Sequence, residues 1–209
     1  MSYPTSLAMR SNPLFLRNEF EGVGKWGIPL VKKQLIDLSD VSLIAYSETR
    51  SNETETRRKR GVHFFVDDFR FESVYRQPEK SLKKLAQYAF VLTPDFSTYA
   101  EMQPWRQIES VAQNRWVGAF WQSKGLSVVA TLSWSGANSF EYCFEGVEKN
   151  AIVAVSTVGC RTSKRCFMRG YDAMLERVEP EAILCLGESF PEMGGDLVVV
   201  EYRPFTRAA

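Results

Sequence analysis

Asp67, Asp68 and Asp95 each stand where a short run of β-branched and aromatic residues gives out, and the hydroxyls of Ser97, Ser133, Ser135, Ser156 and Thr157 follow similar runs. Carboxylates held close together have two uses. A pair can divide acid and base roles at a glycosidic carbon when their surroundings push the two pKa values apart. The same oxygens can bind a hard cation such as Mg²⁺, which takes oxygen ligands and keeps several waters. The competing explanation is local, because an aspartate after a strand often caps the next helix. Asp68 before Phe69 and Asp95 before Ser97 both suit that role. Several polar groups in equivalent positions favour a shared site over a set of separate caps.

Other residue types could serve that site. Arg115 could balance the negative charge of a substrate, against the alternative of salt bridging along its helix. Trp134, set between Ser133 and Ser135, is the aromatic best placed to stack on a base or sugar. Trp105 and Trp116 instead have the spacing of helix core residues. The small-residue turn Ser156-Thr157-Val158-Gly159 resembles the loops that hold phosphates on late barrel strands. Arg57, Arg58, Lys59 and Arg60 form a run of cations that could meet phosphates, with Glu48, Glu53 and Glu55 nearby to offset them. Cys160 would need a cationic neighbour such as Arg161 or Arg165 to become a nucleophile.

His63 is the sole histidine. At about 3.3 Å per residue it lies some 13 Å before Asp67 on an extended run, which places it in the core or at the far end of the strand. That placement argues against Ser-His-Asp and Cys-His mechanisms, which need direct hydrogen bonds. One histidine also excludes HExxH zinc sites and His-ligated deaminases. Gly22-Val23-Gly24-Lys25 lacks the spacing of a phosphate-binding P-loop.

These groups need elements to hold them. Candidate strands fall at residues 28–31, 41–46, 62–67, 90–93, 127–133, 151–158, 183–186 and 197–202. Helical patterns lie between several of them, at 69–87 with a break at Pro78, at 103–124, at 138–144 and at 165–178. Strands that alternate with helices and are apolar on both faces predict an α/β fold with a mainly parallel sheet. Eight strands in 209 residues fit a compact or degenerate TIM-like (β/α) barrel, with an open doubly wound sheet as the alternative. Both folds gather functional groups at the carboxyl ends of the strands. Residues 1–26, rich in Ser, Asn, Pro and Gly, read as an arm over a single domain spanning 27–209.

Composition narrows the classes of partner. Lys and Arg number 26 against 25 Asp and Glu, so no global field recruits nucleic acid or an anionic membrane, and such a partner would need a local patch. Apolar stretches fall well short of the roughly 20 residues a bilayer span requires. No secretory signal is apparent, and the four cysteines show no CxxC pairing. A cytoplasmic protein without disulfides or structural zinc is expected.

Five segments are diagnostic together: Gly61-Val-His-Phe-Phe-Val-Asp-Asp68, Leu92-Thr-Pro-Asp-Phe-Ser97, Arg115-Trp-Val-Gly-Ala-Phe-Trp-Gln122, Ser133-Trp-Ser135 and Val155-Ser-Thr-Val-Gly159. In this order they resemble a family of bacterial and phage proteins catalogued as domain of unknown function 4417, often met in mobile elements. The resemblance singles out Asp67, Asp68, Pro94, Asp95, Ser97, Arg115, Trp116, Ser133, Trp134, Ser135, Thr157 and Gly159, but brings no settled activity with it. The reading that follows is an enzyme acting on a nucleotide, nucleic acid or other phosphate- or sugar-bearing substrate by hydrolysis or glycosyl transfer. Asp67, Asp68, Asp95, Ser133 and Ser135 would be its catalytic groups. Ser97, Arg115, Trp134, Ser156, Thr157 and Gly159 would bind substrate. A non-catalytic module of a mobile element that binds nucleic acid or protein, and a toxin or defence effector, are the alternatives.

Overall fold

The computed structural model describes residues 5–202. Seven strands, Leu43–Ala45 (β3), Gly61–His63 (β4), Phe90–Leu92 (β5), Val128–Thr131 (β6), Ile152–Ser156 (β7), Ala182–Leu186 (β8) and Leu197–Val200 (β9), form one sheet. They lie side by side in chain order, and every pairing is parallel. A doubly wound sheet would reverse its order at a switch point. This one runs in sequence and curls into a half-barrel flanked by helices.

The candidate strand at 28–31 is not part of that sheet. Gly22–Val23 (β1) and Ile28–Pro29 (β2) make a separate antiparallel pair, and Val31 reaches Val147 through a single bridge. Pro29 has no N–H to give a ladder, which suits so short a pairing. The strand expected at 62–67 also stops early, at His63. Its neighbours stop beside it, β3 at Ala45 and β5 at Leu92, two residues before Pro94, so β4 has no ladder partner to extend along.

After the short helices Ser6–Arg10 (α1), Pro13–Leu16 (α2) and Glu55–Arg58 (α3), the later helices cover the convex face. Ser73–Arg76 (α4) and Glu79–Leu85 (α5) are divided at Pro78, as the sequence predicts. Lys164–Val178 (α7) buries Phe167, Tyr171, Met174 and Val178 along one face and ends at Glu179, in the left-handed conformation, before Pro180. Pro104–Ser123 (α6) behaves differently. Trp105, expected in its buried stripe, is 67% exposed, whereas nearly every residue from Asn114 to Trp121 is buried. This stretch is covered on more than one face, with Gly118 against the sheet and Val31, and Trp116 against the rings of Phe20 and Tyr75. A methyl group added at Gly118 would come within 2.6 Å of Thr93 and 2.8 Å of Val31.

Two apolar layers result. Val62, Phe64, Val91, Val128, Val153 and Ile183 pack under the helices, while Phe90, Leu92, Val129, Ala154 and Leu184 form the concave face. Ile36, Leu38 and Val41 pack onto that concave face from the segment preceding β3. They take the place that further strands hold in a closed barrel and leave the carboxyl ends of the strands open.

The expected arm at 1–26 begins outside the described residues. Within them, Arg17 lies 4.2 Å from the Tyr75 ring centre and 3.9 Å from that of Trp116, and donates to the Tyr75 carbonyl at 2.7 Å. Trp116 Nε1 donates to Glu19 at 3.3 Å. These contacts fasten residues 17–19 to the outer helices. The basic run is partly occupied too. Arg57 pairs with buried Glu53 at 3.4 Å, and Arg58 donates to Gln87 at 3.5 Å. The run leads into the amino end of β4, away from the carboxyl rim. Among the described residues no helix is long and apolar enough to cross a membrane.

Candidate active site

A cavity of about 540 Å³ opens at the carboxyl ends of the strands. Every strand end except that of β8 brings something to it: Glu48 after β3, His63, Asp67 and Asp68 from β4 and beyond, Asp95, Ser97 and Tyr99 after β5, Ser133 and Trp134 after β6, Ser156 and Cys160 at β7, and Tyr202 after β9. Parallel neighbours all release their chains at one edge, so the site follows from the topology.

Asp95 is the most unusual group here. Pro94 ends the β5 run and turns the chain, leaving Asp95 half-buried at the cavity wall. Its Oδ1 is shielded from solvent and has no hydrogen-bond partner. Loss of solvation raises the carboxyl from its ordinary 3.8 to about 7, the hydrogen bond from Ser133 pulls it down, the nearby charge of Asp68 raises it further, and that of Arg115 opposes. The loop around it is clamped from below. Asn114 Nδ2 donates to the carbonyls of Pro94 at 2.8 Å and Thr131 at 3.3 Å, tying together the chain segments that carry Asp95 and Ser133.

Asp68 is held across the cavity. Its two carboxylate oxygens accept from the Ser97 backbone N–H at 3.1 Å and the Ser97 hydroxyl at 2.9 Å. It therefore bridges the loops after β4 and β5 and does not cap the helical turn that follows. Asp67 occupies the cap position of that turn without a capping bond, is exposed, and pairs with Arg70 at 3.3 Å.

His63 corrects the sequence reading. Because β4 stops there, the ring lines the cavity instead of lying 13 Å below it. Burial lowers its pKa from 6.5 to about 4, so the imidazole is neutral at physiological pH. Nδ1 accepts from the Phe65 N–H at 3.3 Å, which puts the remaining proton on Nε2. The missed signal was Pro94, which limits β5 and with it the adjacent β4.

Trp134 lines the cavity and leans on Phe144 and Phe167, with ring centres 5.9 and 5.1 Å away. Helix α7 makes room for it with Gly170, where a Cβ would fall 2.1 Å from the indole nitrogen. Ser156 is present but engaged, donating to the Leu186 carbonyl at 3.3 Å and accepting from the Val158 N–H at 3.2 Å. Cys160 is a half-buried thiol whose pKa burial raises, the opposite of an activated nucleophile.

Four predicted residues lie elsewhere. Ser135 is tied to α6, donating to Gln107 at 2.6 Å. Arg115, 1% exposed, donates to the carbonyls of Thr131 at 2.9 Å, Cys143 at 2.9 Å and Glu145 at 3.0 Å, so its guanidinium supports the fold beneath the cavity and is walled off from any substrate. Thr157 and Gly159 line a second hollow, larger at about 1060 Å³ and slightly more open, beside Gly187, Glu188 and Phe190. The rim is therefore two sites' worth of surface. Behind Ser133 and Thr98 is also a closed chamber of about 10 Å³, walled by Ser110 and Thr131, whose buried hydroxyls have no partner. It has the room of about one water.

Among the described residues no group of three or more His, Cys, Asp or Glu is placed to hold a metal ion. The side chains explain this, since Asp67 turns to Arg70 and Asp68 to Ser97.

Residues 20–203 match the family described as Domain of unknown function (DUF4417). The chain belongs to that family. It is 34% identical over 178 residues to the Gene 1 protein of Mycobacterium phage L5, covering 84% of this chain and 77% of that protein. With the Gene 1 protein of Mycobacterium phage D29 it shares 36% identity over 149 residues, covering 70% of this chain and 55% of the relative. It thus spans about half the length of the D29 protein. No solved structure matches it. The matched DUF4417 region contains the whole half-barrel and every residue that lines the cavity.

Proposed function

We propose that this DUF4417 protein is an enzyme that uses Asp95 as its general acid–base group, catalysing hydrolysis or glycosyl transfer on a small sugar- or phosphate-bearing substrate in the rim cavity. The observation that supports this best is the state of Asp95: a carboxyl aimed into a cavity, with one oxygen shielded and unpartnered. Buried acids without partners are costly, and such groups concentrate where proton transfer is useful.

A carboxyl with a pKa of about 7 holds its proton on roughly half of the molecules at neutral pH, so it can deliver that proton to a leaving-group oxygen. Ser133 orients it. Asp68, fixed by Ser97, is the second carboxylate that such a reaction needs, to activate water or meet the reacting carbon.

The test is turnover against a panel of nucleosides, nucleotides and aryl glycosides. Asp95→Asn is expected to lower the rate by about 10²- to 10⁴-fold while the circular dichroism spectrum is kept. The acid role requires the protonated form, so kcat/KM should fall as pH rises through about 7. Undiminished turnover in Asp95→Asn sinks the reading.

A further inference from the structure

The charge balance of the cavity says what kind of molecule it would admit. Among its described lining residues are three carboxylates, Glu48, Asp67 and Asp68, the half-protonated carboxyl of Asp95, and one guanidinium, Arg70, whose charge faces Asp67. His63 adds no cation, since burial keeps it neutral. Arg115, which the sequence offered as the anion partner, is sealed beneath the floor. A phosphate placed here would meet mostly like charge, and juxtaposed like charges are costly away from bulk water.

Carboxylates accept hydrogen bonds and donate none, so a fitting ligand must bring donors. The remaining walls are rings. Trp134 and Phe167 form one side, Phe65 and His63 another, and Tyr99, 65% exposed, stands at the mouth. An exposed tyrosine beside a half-buried tryptophan offers flat apolar faces for stacking. The volume, about 540 Å³, is in the range of pockets that enclose a small organic ligand.

The geometry points to an uncharged, ring-bearing and hydroxyl-rich ligand, a nucleoside in preference to a nucleotide, with its ring against Trp134 or Tyr99 and its sugar hydroxyls donating to the carboxylates. This substrate class rests on the reading of the cavity as the working site. It does not depend on Asp95 performing the chemistry.

The experiment separates the two claims by using the Asp95→Asn protein, which the proposed chemistry leaves able to bind and unable to turn over. Adenosine and uridine are titrated calorimetrically, followed by their 5′-monophosphates and an aryl glycoside. Nucleosides should bind, the monophosphates should bind at least about tenfold more weakly, and Glu48→Gln with Asp67→Asn should narrow that gap. Trp134→Ala should weaken nucleoside binding roughly 5- to 100-fold. Because Trp134 also packs against the core, Tyr99→Ala serves as the second variant, its exposed ring leaving the fold undisturbed. Added salt should leave nucleoside affinity unchanged, whereas a cationic ligand would lose it. Monophosphates that bind as tightly as nucleosides overturn the substrate class, even with Asp95 turnover intact. So does tighter binding of the aryl glycoside, binding of neither nucleoside, or binding indifferent to both ring substitutions.

Discussion

The two halves of the rim share a fold and differ in what surrounds their polar groups. After β4, β5 and β6, Asp95 and His63 line the cavity wall beside Trp134, and carboxyl and imidazole alike are drawn out of water. After β7 and β8 the chain turns back at once through Gly159 and Gly187, with φ of +79° and +99°. Thr157 spends its hydroxyl on the Leu186 carbonyl at 3.4 Å, and Arg161 and Glu188 pair with each other, 76% and 80% exposed. Both halves present polar side chains at strand ends. Only where bulky cover withdraws them from solvent do their proton affinities move far.

The sharpest way to break this contrast is catalytic. Asp95→Asn should cost about 10²- to 10⁴-fold in turnover, whereas Thr157→Ala, on the open half, should leave kcat within about threefold because its hydroxyl serves a backbone carbonyl. Equal losses at both positions would dissolve the distinction.

Stability gives the next largest contrast. Arg115→Met takes a donor from the carbonyls of Thr131, Cys143 and Glu145 and from the Asn114 side chain, and should destabilise the fold by about 3–5 kcal/mol, read from urea unfolding. Arg161→Ala removes a cation of the same type from an exposed pair and should not shift the midpoint resolvably. An Arg115→Met protein of undiminished stability would refute the clamp.

Much of this was legible before the structure. Alternating apolar runs and helical stripes locate all seven strands of the sheet, and strand ends mark Asp67, Asp68, Asp95, Ser97, Ser133, Trp134 and Ser156 as residues of one mouth. What escaped depends on partners far along the chain. His63 lies at the rim because both neighbours of β4 stop beside it, β3 at Ala45 and β5 at Leu92, the latter just before Pro94, some thirty residues away. Arg115 is a core residue because α6 is covered on two sides, which a one-face pattern does not anticipate. Thr157 missed the cavity because Val158, which lines both hollows, is the wall between them.

The smallest of these effects is the most specific, and it concerns proton uptake on folding. Asp95 rises from 3.8 to about 7, so in the folded state it keeps a proton that the unfolded chain releases; this favours the fold at low pH and is lost as pH climbs towards 7. His63 falls from 6.5 to about 4, so the unfolded chain binds a proton that the folded one refuses; its contribution is complete above 6.5 and is lost as pH drops towards 4. Between about pH 4 and 6.5 the two linkages have opposite sign and largely cancel. Either substitution alone should expose the other. Relative to the parent, Asp95→Asn should make stability rise with pH across this window, and His63→Phe should make it fall, each with a limiting slope of about 1.4 kcal/mol per pH unit. The double variant should restore the parent's slope. Slopes that coincide in all four proteins would mean that neither group is removed from water, and with that the difference between the two halves of the rim would disappear.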